Sequence, residues 1–406
     1  MTPSLRILHI LRAPVGGLFR HVRDLAMEQV KWGLEVGVLV DSNSSDGLTA
    51  KRLADLAQQL PLGLHSIPMG RAPGISDLKC IRETHRLSKE LGIDVLHGHG
   101  AKGGLYARFG GSLPSAEKRH RPLRFYTPHG GSLHYFDGSV KGNVYVSAEA
   151  GLLRLTDGII FESAFARGRF ESCIRLDGVA NKVIPNGLLP ADFELRELED
   201  NAAEFVFVGE LRHLKGVDVL LDALSQLSGK ARAVIVGDGP DGAQFKAQAH
   251  RLGLGARVSF PGVMPARDAF GLGKVLVMPS RAESLPYIAL EAAAAGVPLI
   301  ATQVGGVPEI VEGSDTRLVA AGDAGALACA MSIANDDYAA AAVRAERLRQ
   351  CVNDRFTTEH MMRCVLEFYR DGLLRRRSGG SAKASFTKPA LNAGPAGKGR
   401  TRTDLP

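Results

Sequence analysis

The chain has 406 residues, 45% of them hydrophobic, five cysteines and a net charge of +7. That length is too great for one ordinary core and calls for two domains, and the scattered cysteines, with no CxxC pair, exclude a disulfide framework. The charge excludes nothing about the body and points to no nucleic-acid partner, because residues 375–406 carry eight Lys or Arg against Asp404 alone and so hold all of it.

The elements alternate in chain order. Leu5–Leu11 is an apolar run interrupted by Arg6 and His9. It reads as a first strand rather than a signal peptide. A helical period follows over Leu18–Val30, and another over Ile81–Leu91. Further strand runs are Val36–Val40, Leu64–Met69, Val95–His97, Arg124–Thr127, Gly158–Phe161 and Lys182–Ile184. A charged stretch, residues 192–203, reads as a linker after a first domain of residues 1–191. The pattern restarts in residues 204–353 with Glu204–Val208, Ala233–Val236, Val258–Phe260, Val275–Met278, Leu299–Ala301 and Arg317–Val319. Strands alternating with helices predict an α/β fold of two doubly wound parallel sheets, each covered on both faces. Residues 354–374 read as an amphipathic helix, either the last core helix of the second domain or one crossing back to the first. Residues 375–406 are rich in Gly, Ser, Ala, Pro and Lys/Arg. They are expected to remain a solvated, disordered tail, with a weak tether to anionic lipid as the alternative. No run approaches the roughly 18 apolar residues of a membrane span, so a cytoplasmic protein is expected, peripheral on the inner face of the membrane if the tail binds lipid.

In doubly wound sheets ligands sit beyond the carboxyl ends of strands, and the unusual residues of this chain lie there. Gly16-Gly17 follows the first strand and opens a helix, where bare backbone N–H groups favour an anion or a sugar. His97-Gly98-His99-Gly100 follows the fourth strand and Thr127-Pro128-His129-Gly130-Gly131 the fifth. His97 and His99, two apart on an extended segment, are expected to point to opposite faces and so to chelate a metal poorly. His129 is positioned to donate a hydrogen bond into a cleft. In the second half, Gly209 ends a strand before Arg212 and Lys215, two cations suited to a diphosphate. Gly237, Gly239 and Gly242 spell GxGxxG, but the acidic ribose partner about 20 residues on is missing, which argues against a dehydrogenase. Met278-Pro279-Ser280-Arg281-Ala282-Glu283-Ser284-Leu285-Pro286 carries a carboxylate into a helix start near Ser284–Pro286. There the N–H groups of Ser284 and Leu285 would meet a phosphate, and Glu291, one and a half turns on, would reach ribose hydroxyls. Gly305-Gly306 makes another turn toward the same cleft.

Taken together, these residues resemble glycosyltransferase family 4, the retaining enzymes of the GT-B fold. The resemblance runs from Leu5 to about Tyr369. It is carried by Gly16-Gly17, the Thr-Pro-His-Gly around His129, Ile184-Pro185-Asn186-Gly187, the Gly209 to Lys215-Gly216 loop, Gly237-Asp238-Gly239-Pro240, and the E-x₇-E pair Glu283 and Glu291. It implies two Rossmann-like domains facing each other across a cleft, and transfer of a sugar from a UDP- or GDP-sugar to a saccharide or lipid-linked acceptor in bacterial polysaccharide or glycolipid synthesis. It also implies that Glu283, His129 and Lys215 carry the chemistry, with Gly16, Gly17, Arg212, Lys215, Gly237, Ser284, Leu285 and Glu291 holding the donor. The family often has arginine where this chain has Glu210, and Arg212 is the candidate replacement. No two aspartates stand two apart, so no DxD metal motif exists and no metal or other cofactor is expected. A nucleotide-sugar epimerase, a phosphorylase or a non-enzymatic carbohydrate-binding protein are the rival readings. The glycine loop with E-x₇-E argues against the first, the chain length against the second, and Lys215 with its glutamates against the third.

Overall fold

The structure is a computed structural model that describes residues 4–43, 47–114, 121–130, 140–227 and 231–378. The thirteen described strands form two wholly parallel sheets. The first comprises β1 (Arg6–Leu11), β2 (Glu35–Asp41), β3 (Leu64–Ile67), β4 (Val95–His99), β5 (Leu123–Thr127), β6 (Gly158–Phe161) and β7 (Asn181–Val183), in the order β3-β2-β1-β4-β5-β6-β7. The second comprises β8 (Ala203–Val208), β9 (Ala233–Val236), β10 (Val258–Gly262), β11 (Gly273–Met278), β12 (Leu299–Thr302) and β13 (Leu318–Val319), in the order β10-β9-β8-β11-β12-β13. Every strand run read from the sequence corresponds to one of these, with boundaries shifted by one or two residues. Runs such as Val36–Val40 and Phe205–Phe207 are buried on both faces, as a sheet sandwiched between helix layers requires.

The order of each sheet reverses beside its first strand, between β1 and β4 and between β8 and β11. At such a point neighbouring loops diverge and leave a crevice. The helix Gly100–Gly110 follows β4 so closely that a Cβ at Gly103 would overlap the carbonyl of Ile10 and one at Gly104 the ring of Tyr126. Only glycine permits that approach, which holds the carboxyl ends of β1, β4 and β5 together.

The last helix, Thr358–Arg377, packs on the first sheet. Its Met361, Met362, Val365, Phe368 and Tyr369 join Ile7, Leu25, Val95 and Phe125 in one core. Full burial of each such side chain is worth about 1.5–3 kcal/mol, so the amphipathic stripe seals the first domain, not the second. The helix also extends beyond the sequence-based boundary: Arg375, Arg376 and Arg377 form its last turn rather than the beginning of a tail. Arg376 bonds the Arg121 carbonyl and lies 3.7 Å from Asp157. The remainder of the basic segment, 379–406, lies outside the described residues.

The chain passes between the domains twice, and the two passages are bonded together. Leu188 N–H donates to the Phe356 carbonyl (2.8 Å) and Thr358 N–H to that of Leu188 (3.0 Å). Within the stretch read as the linker, Arg196 and Ala203 are bonded into the second domain. Arg196 donates to the carbonyls of Phe270, Gly273 and Lys274, and Ala203 is already part of β8.

Candidate active site

Two loops of the second domain build the floor of the cleft. After β8 the chain turns through the single helical turn His213–Lys215, and after β11 it runs as the loop Pro279–Pro286. They are stitched together: Arg281 N–H donates to the Leu214 carbonyl (2.8 Å), and its guanidinium forks onto both oxygens of Asp218 at 2.8 and 2.6 Å. This fixes Lys215 Nζ 2.7 Å from Glu283 Oε1. Glu283 is further fixed by Gly305, which sits at φ +57 where a Cβ would overlap the Glu283 carbonyl. A cavity of about 330 Å³ opens beside them, lined by Gly130, Arg169, Arg281, Glu283, Ser284 and Gly305 among others.

The helix carrying Glu291 begins at Tyr287, behind Pro286, and not at Ser284. Ser284 is therefore no N-cap. Its hydroxyl reaches across the cleft and donates to Glu162 Oε1 at 2.6 Å. Burial pushes the Glu162 carboxyl above the usual carboxylate range. Leu285 lends its carbonyl to the Asn186 amide (3.0 Å), whose oxygen meets His21 Nδ1 at 3.0 Å. Glu291 faces the first domain and pairs there with Arg20. Arg20 also bonds Asp192 (2.6 Å) and Asp24 (3.3 Å), and its guanidinium lies 4.8 Å from the centre of the Tyr287 ring. Gly17 lies under the same ring, which a Cβ would approach to 3.4 Å, and Gly16 takes φ +64 at the start of its helix.

Arg212 does not join this group. It is half-exposed and pairs with Glu210 at 3.1 Å, and the arginines that line the cavity beside Glu283 are Arg169 and Arg281. Gly237, at φ +141, packs so tightly against Gly209 that a Cβ has no room. It lines a separate cavity of about 350 Å³ with Asp238, Lys246, Phe260 and Val263.

On the opposite wall, His129 is the one described non-glycine residue with positive φ, 52°. A strained backbone at a strand end aims a side chain at a defined place. Gly130 beside it is close enough to Ser284 that a Cβ would lie 3.0 Å from that residue's Cβ. Behind His129 stands a group of buried histidines. His99 Nδ1 is 3.1 Å from His129 Nε2, His99 Nε2 is 2.9 Å from His9 Nδ1, and His9 Nε2 is 2.8 Å from Gln29 Oε1. His97 bonds Tyr369 (2.6 Å) and Thr127 (2.8 Å) through its two nitrogens. Burial lowers all of them, His129 to about 3 and His9 to about 4, with His97 and His99 well below 6.5. The expectation that His97 and His99 face apart fails. Successive side chains alternate along a strand, so residues two apart share a face, and their rings lie 4.1 Å apart. Two buried triplets, His9-His97-His99 and His21-His99-His129, bring ring nitrogens within 4.8 Å. In the first triplet, however, every ring nitrogen already has a protein partner.

Residues 15–190 match the model of Glycosyltransferase Family 4, and residues 202–337 that of Glycosyl transferases group 1. The chain belongs to this glycosyltransferase family. A D-inositol 3-phosphate glycosyltransferase of Rhodococcus opacus is 34% identical to it over 192 residues, 43% of this chain and 42% of that protein. The chain thus matches less than half the length of that relative. A glycogen synthase of Mycobacterium tuberculosis is 28% identical over 392 residues, 87% of this chain and 91% of the relative. Among solved structures, Anabaena HepE in complex with UDP and glucose superposes with a TM-score of 0.74 at 20% identity, over 90% of this chain and 99% of that one. The fold of this glycosyltransferase is therefore GT-B, two parallel-sheet domains facing across a cleft. Among its described residues no helix is long and apolar enough to cross a membrane.

Sequence reading passed over Arg20, Glu162 and Arg281, and also Glu309, which accepts the backbone N–H groups of Ala164 and Phe165 at 2.8 Å from across the cleft. Each is an ordinary charged residue on a helix or strand end. Only the Ser163-Ala164 helix start, which asks for an anionic partner, offered a signal.

Proposed function

We propose that this chain transfers a sugar, with retention of configuration, from a UDP- or GDP-sugar to a hydroxyl of a saccharide or lipid-linked acceptor, and that it needs no metal. The observation that carries this is the Lys215–Glu283 pair, 2.7 Å apart at the carboxyl ends of β8 and β11, with Gly130 of the other domain against Ser284 beside it. Retaining transfer builds negative charge on the leaving phosphate and positive character on the sugar ring. A preorganised cation stabilises the first, and the Glu283 carboxylate beside it suits the second. The leaving phosphate itself can take the acceptor proton, so no separate base is required. The cavity at Gly237, Phe260 and Val263 suits a nucleobase, and Glu291 the ribose hydroxyls. The printed names of the relatives support a nucleotide-sugar donor: HepE was crystallised with UDP-glucose, and a Mycobacterium tuberculosis relative is described as GDP-mannose-dependent. We place the enzyme in the cytoplasm, with the basic segment beyond Ser378 as a weak tether to anionic membrane.

The experiment is turnover of a panel of UDP- and GDP-sugars, read as nucleoside diphosphate release, with and without EDTA. Activity persists in excess EDTA, and Lys215→Ala abolishes it beyond rescue by Mg²⁺ or Mn²⁺. Metal-dependent turnover overturns the charge argument, and a protein that neither binds nor turns over any nucleotide sugar overturns the reading.

A further inference from the structure

The contact between Glu309 and the Ala164 helix carries an inference about how the two domains engage. It rests on Lys215 and Glu283 being the reacting centre. Four consecutive residues of the first domain, Glu162 to Phe165, run from the end of β6 into the helix Ala164–Glu171. Each of them meets the second domain. Glu162 accepts from the Ser284 hydroxyl at 2.6 Å. Ser163 lies against Gly306, where an added Cβ would come within 3.1 Å of the Ser163 Cβ. Ala164 and Phe165 donate their backbone N–H groups to Glu309 Oε2 and Oε1, each at 2.8 Å.

The first N–H groups of a helix have no partner within it, and its N-terminus attracts negative charge. The helix's own cap, Ser163, accepts from Ala166 N–H at 3.0 Å. The two N–H groups before that one are satisfied by a carboxylate of the other domain. One carboxylate makes both bonds, so separation of the domains breaks them together. Glu309 is also tied to the reacting centre through its own chain. It lies in the short helix Val307–Val311, directly after the turn Gly305-Gly306. That turn is wedged against the Glu283 loop: a Cβ on Gly305 would overlap the Glu283 carbonyl and one on Gly306 the Ser284 carbonyl, to which Gly306 N–H donates at 2.7 Å. A displacement of Glu309 is therefore passed through four residues to the backbone that seats Glu283.

We propose that Glu309 is a positioning residue, which caps the helix Ala164–Glu171 across the cleft and thereby favours the closed arrangement in which the Glu283 loop is held against Lys215. The groups read as holding the nucleotide, Glu291 and the cavity at Gly237, are not among its partners. Loss of the cap therefore slows transfer without loosening the nucleotide. Both bonds lie at the exposed edge of the cleft, where water competes for the same groups, so the effect is moderate.

Two substitutions remove the contact from opposite sides. Glu309→Gln keeps the shape and one acceptor oxygen but loses the charge. Ala164→Pro deletes one of the donated N–H groups. Proline is tolerated at the first position of a helix, and Ser163 before it is already extended, with φ −153 and ψ 157, as a residue preceding proline must be. Glu309→Gln is expected to lower kcat by about tenfold, a barrier change of about 1.4 kcal/mol, and Ala164→Pro by about threefold. Affinity for UDP or GDP, measured by calorimetry, is expected to stay constant in both, with Tm little changed. The double variant is expected to be no slower than Glu309→Gln alone, because both changes act on one contact. Small-angle scattering with and without saturating UDP or GDP reports closure independently of turnover, and Glu309→Gln is expected to show a larger radius of gyration than the parent. Losses that multiply in the double variant, equal losses of kcat and nucleotide affinity, a parent-like kcat in Glu309→Gln, or an unchanged radius in that variant each overturn the proposal. If Ala164→Pro lowers Tm strongly, the kcat and radius of Glu309→Gln decide alone. Failure of the wider functional reading is distinct, because the parent then turns over no nucleotide sugar while the difference in radius remains.

Discussion

At the scale of single residues, the two glutamates of the E-x₇-E pair have different surroundings and should fail differently. Glu283 touches Lys215, and Glu291 touches Arg20. Glu291→Gln is expected to weaken nucleoside diphosphate binding by roughly 1.5–3 kcal/mol, the worth of a charged hydrogen bond, with kcat little changed. Glu283→Gln is expected to lower kcat with binding retained. Calorimetric titration alongside steady-state kinetics separates the two, and identical profiles would show that the donor lies elsewhere. The buried histidines make a second prediction. His9, His21, His97, His99 and His129 all titrate below 6.5 in the fold because burial disfavours their charge, His21 and His129 near 3. The unfolded chain binds their protons near pH 6.5, the folded one does not. Stability is therefore complete above pH 6.5 and is lost as pH falls toward 4, at up to about 1.4 kcal/mol per pH unit for each histidine. Tm should fall steeply between pH 6.5 and 5, and a flat profile there would contradict the burial.

At the scale of elements, the site is shaped by loops that lock one another. Gly305 belongs to the turn after β12 but fits against the backbone of Glu283, in a conformation with φ +57 that other residues avoid. Gly305→Ala is expected to push the Glu283 loop away from Lys215, lowering kcat at least tenfold while Tm falls only modestly, because the core clusters are untouched. Wild-type kcat in that variant would show that the Glu283 loop tolerates displacement. The helix Tyr287–Ala294 teaches a related lesson. A serine followed by a proline two residues on reads as a helix start, but Ser284 is drawn to Glu162 in the other domain and the helix begins three residues later. Capping preference is worth about 1 kcal/mol, and a bond to a buried carboxyl competes with it on equal terms.

At the scale of the whole molecule, the two halves are already bridged. Arg20 to Glu291, Ser284 to Glu162, Asn186 to Leu285 and Glu309 to the Ala164 helix all cross the cleft. A donor that uses Glu291 must therefore part it from Arg20 on entry. The two passages of the chain between the domains, at Leu188 and at Phe356–Thr358, are bonded to each other. Because the final helix runs to Arg377 and packs on the first sheet, the place to truncate is after Ser378. Removal of residues 379–406 is expected to leave Tm and turnover of a soluble acceptor unchanged, and to reduce binding only to vesicles containing anionic lipid at low salt. A large drop in Tm would show that this segment packs on the body.

The sequence by itself determined the thirteen strands, the two-domain α/β plan and the loops that carry Gly16-Gly17, Lys215, Glu283 and Glu291. These are local quantities: a doubly buried parallel strand must be a short apolar run, and ligand loops must follow strand ends. The tertiary structure alone decided the partners. His9 and His99 are 90 residues apart, His97 and Tyr369 272, Ser284 and Glu162 122. No periodicity or propensity encodes such pairs, because they arise where two sheets reverse order and bring distant strand ends together. For the same reason composition could not place the last helix. Its apolar stripe would have fitted either core, and only the return of the chain beside Leu188 brings it to the first.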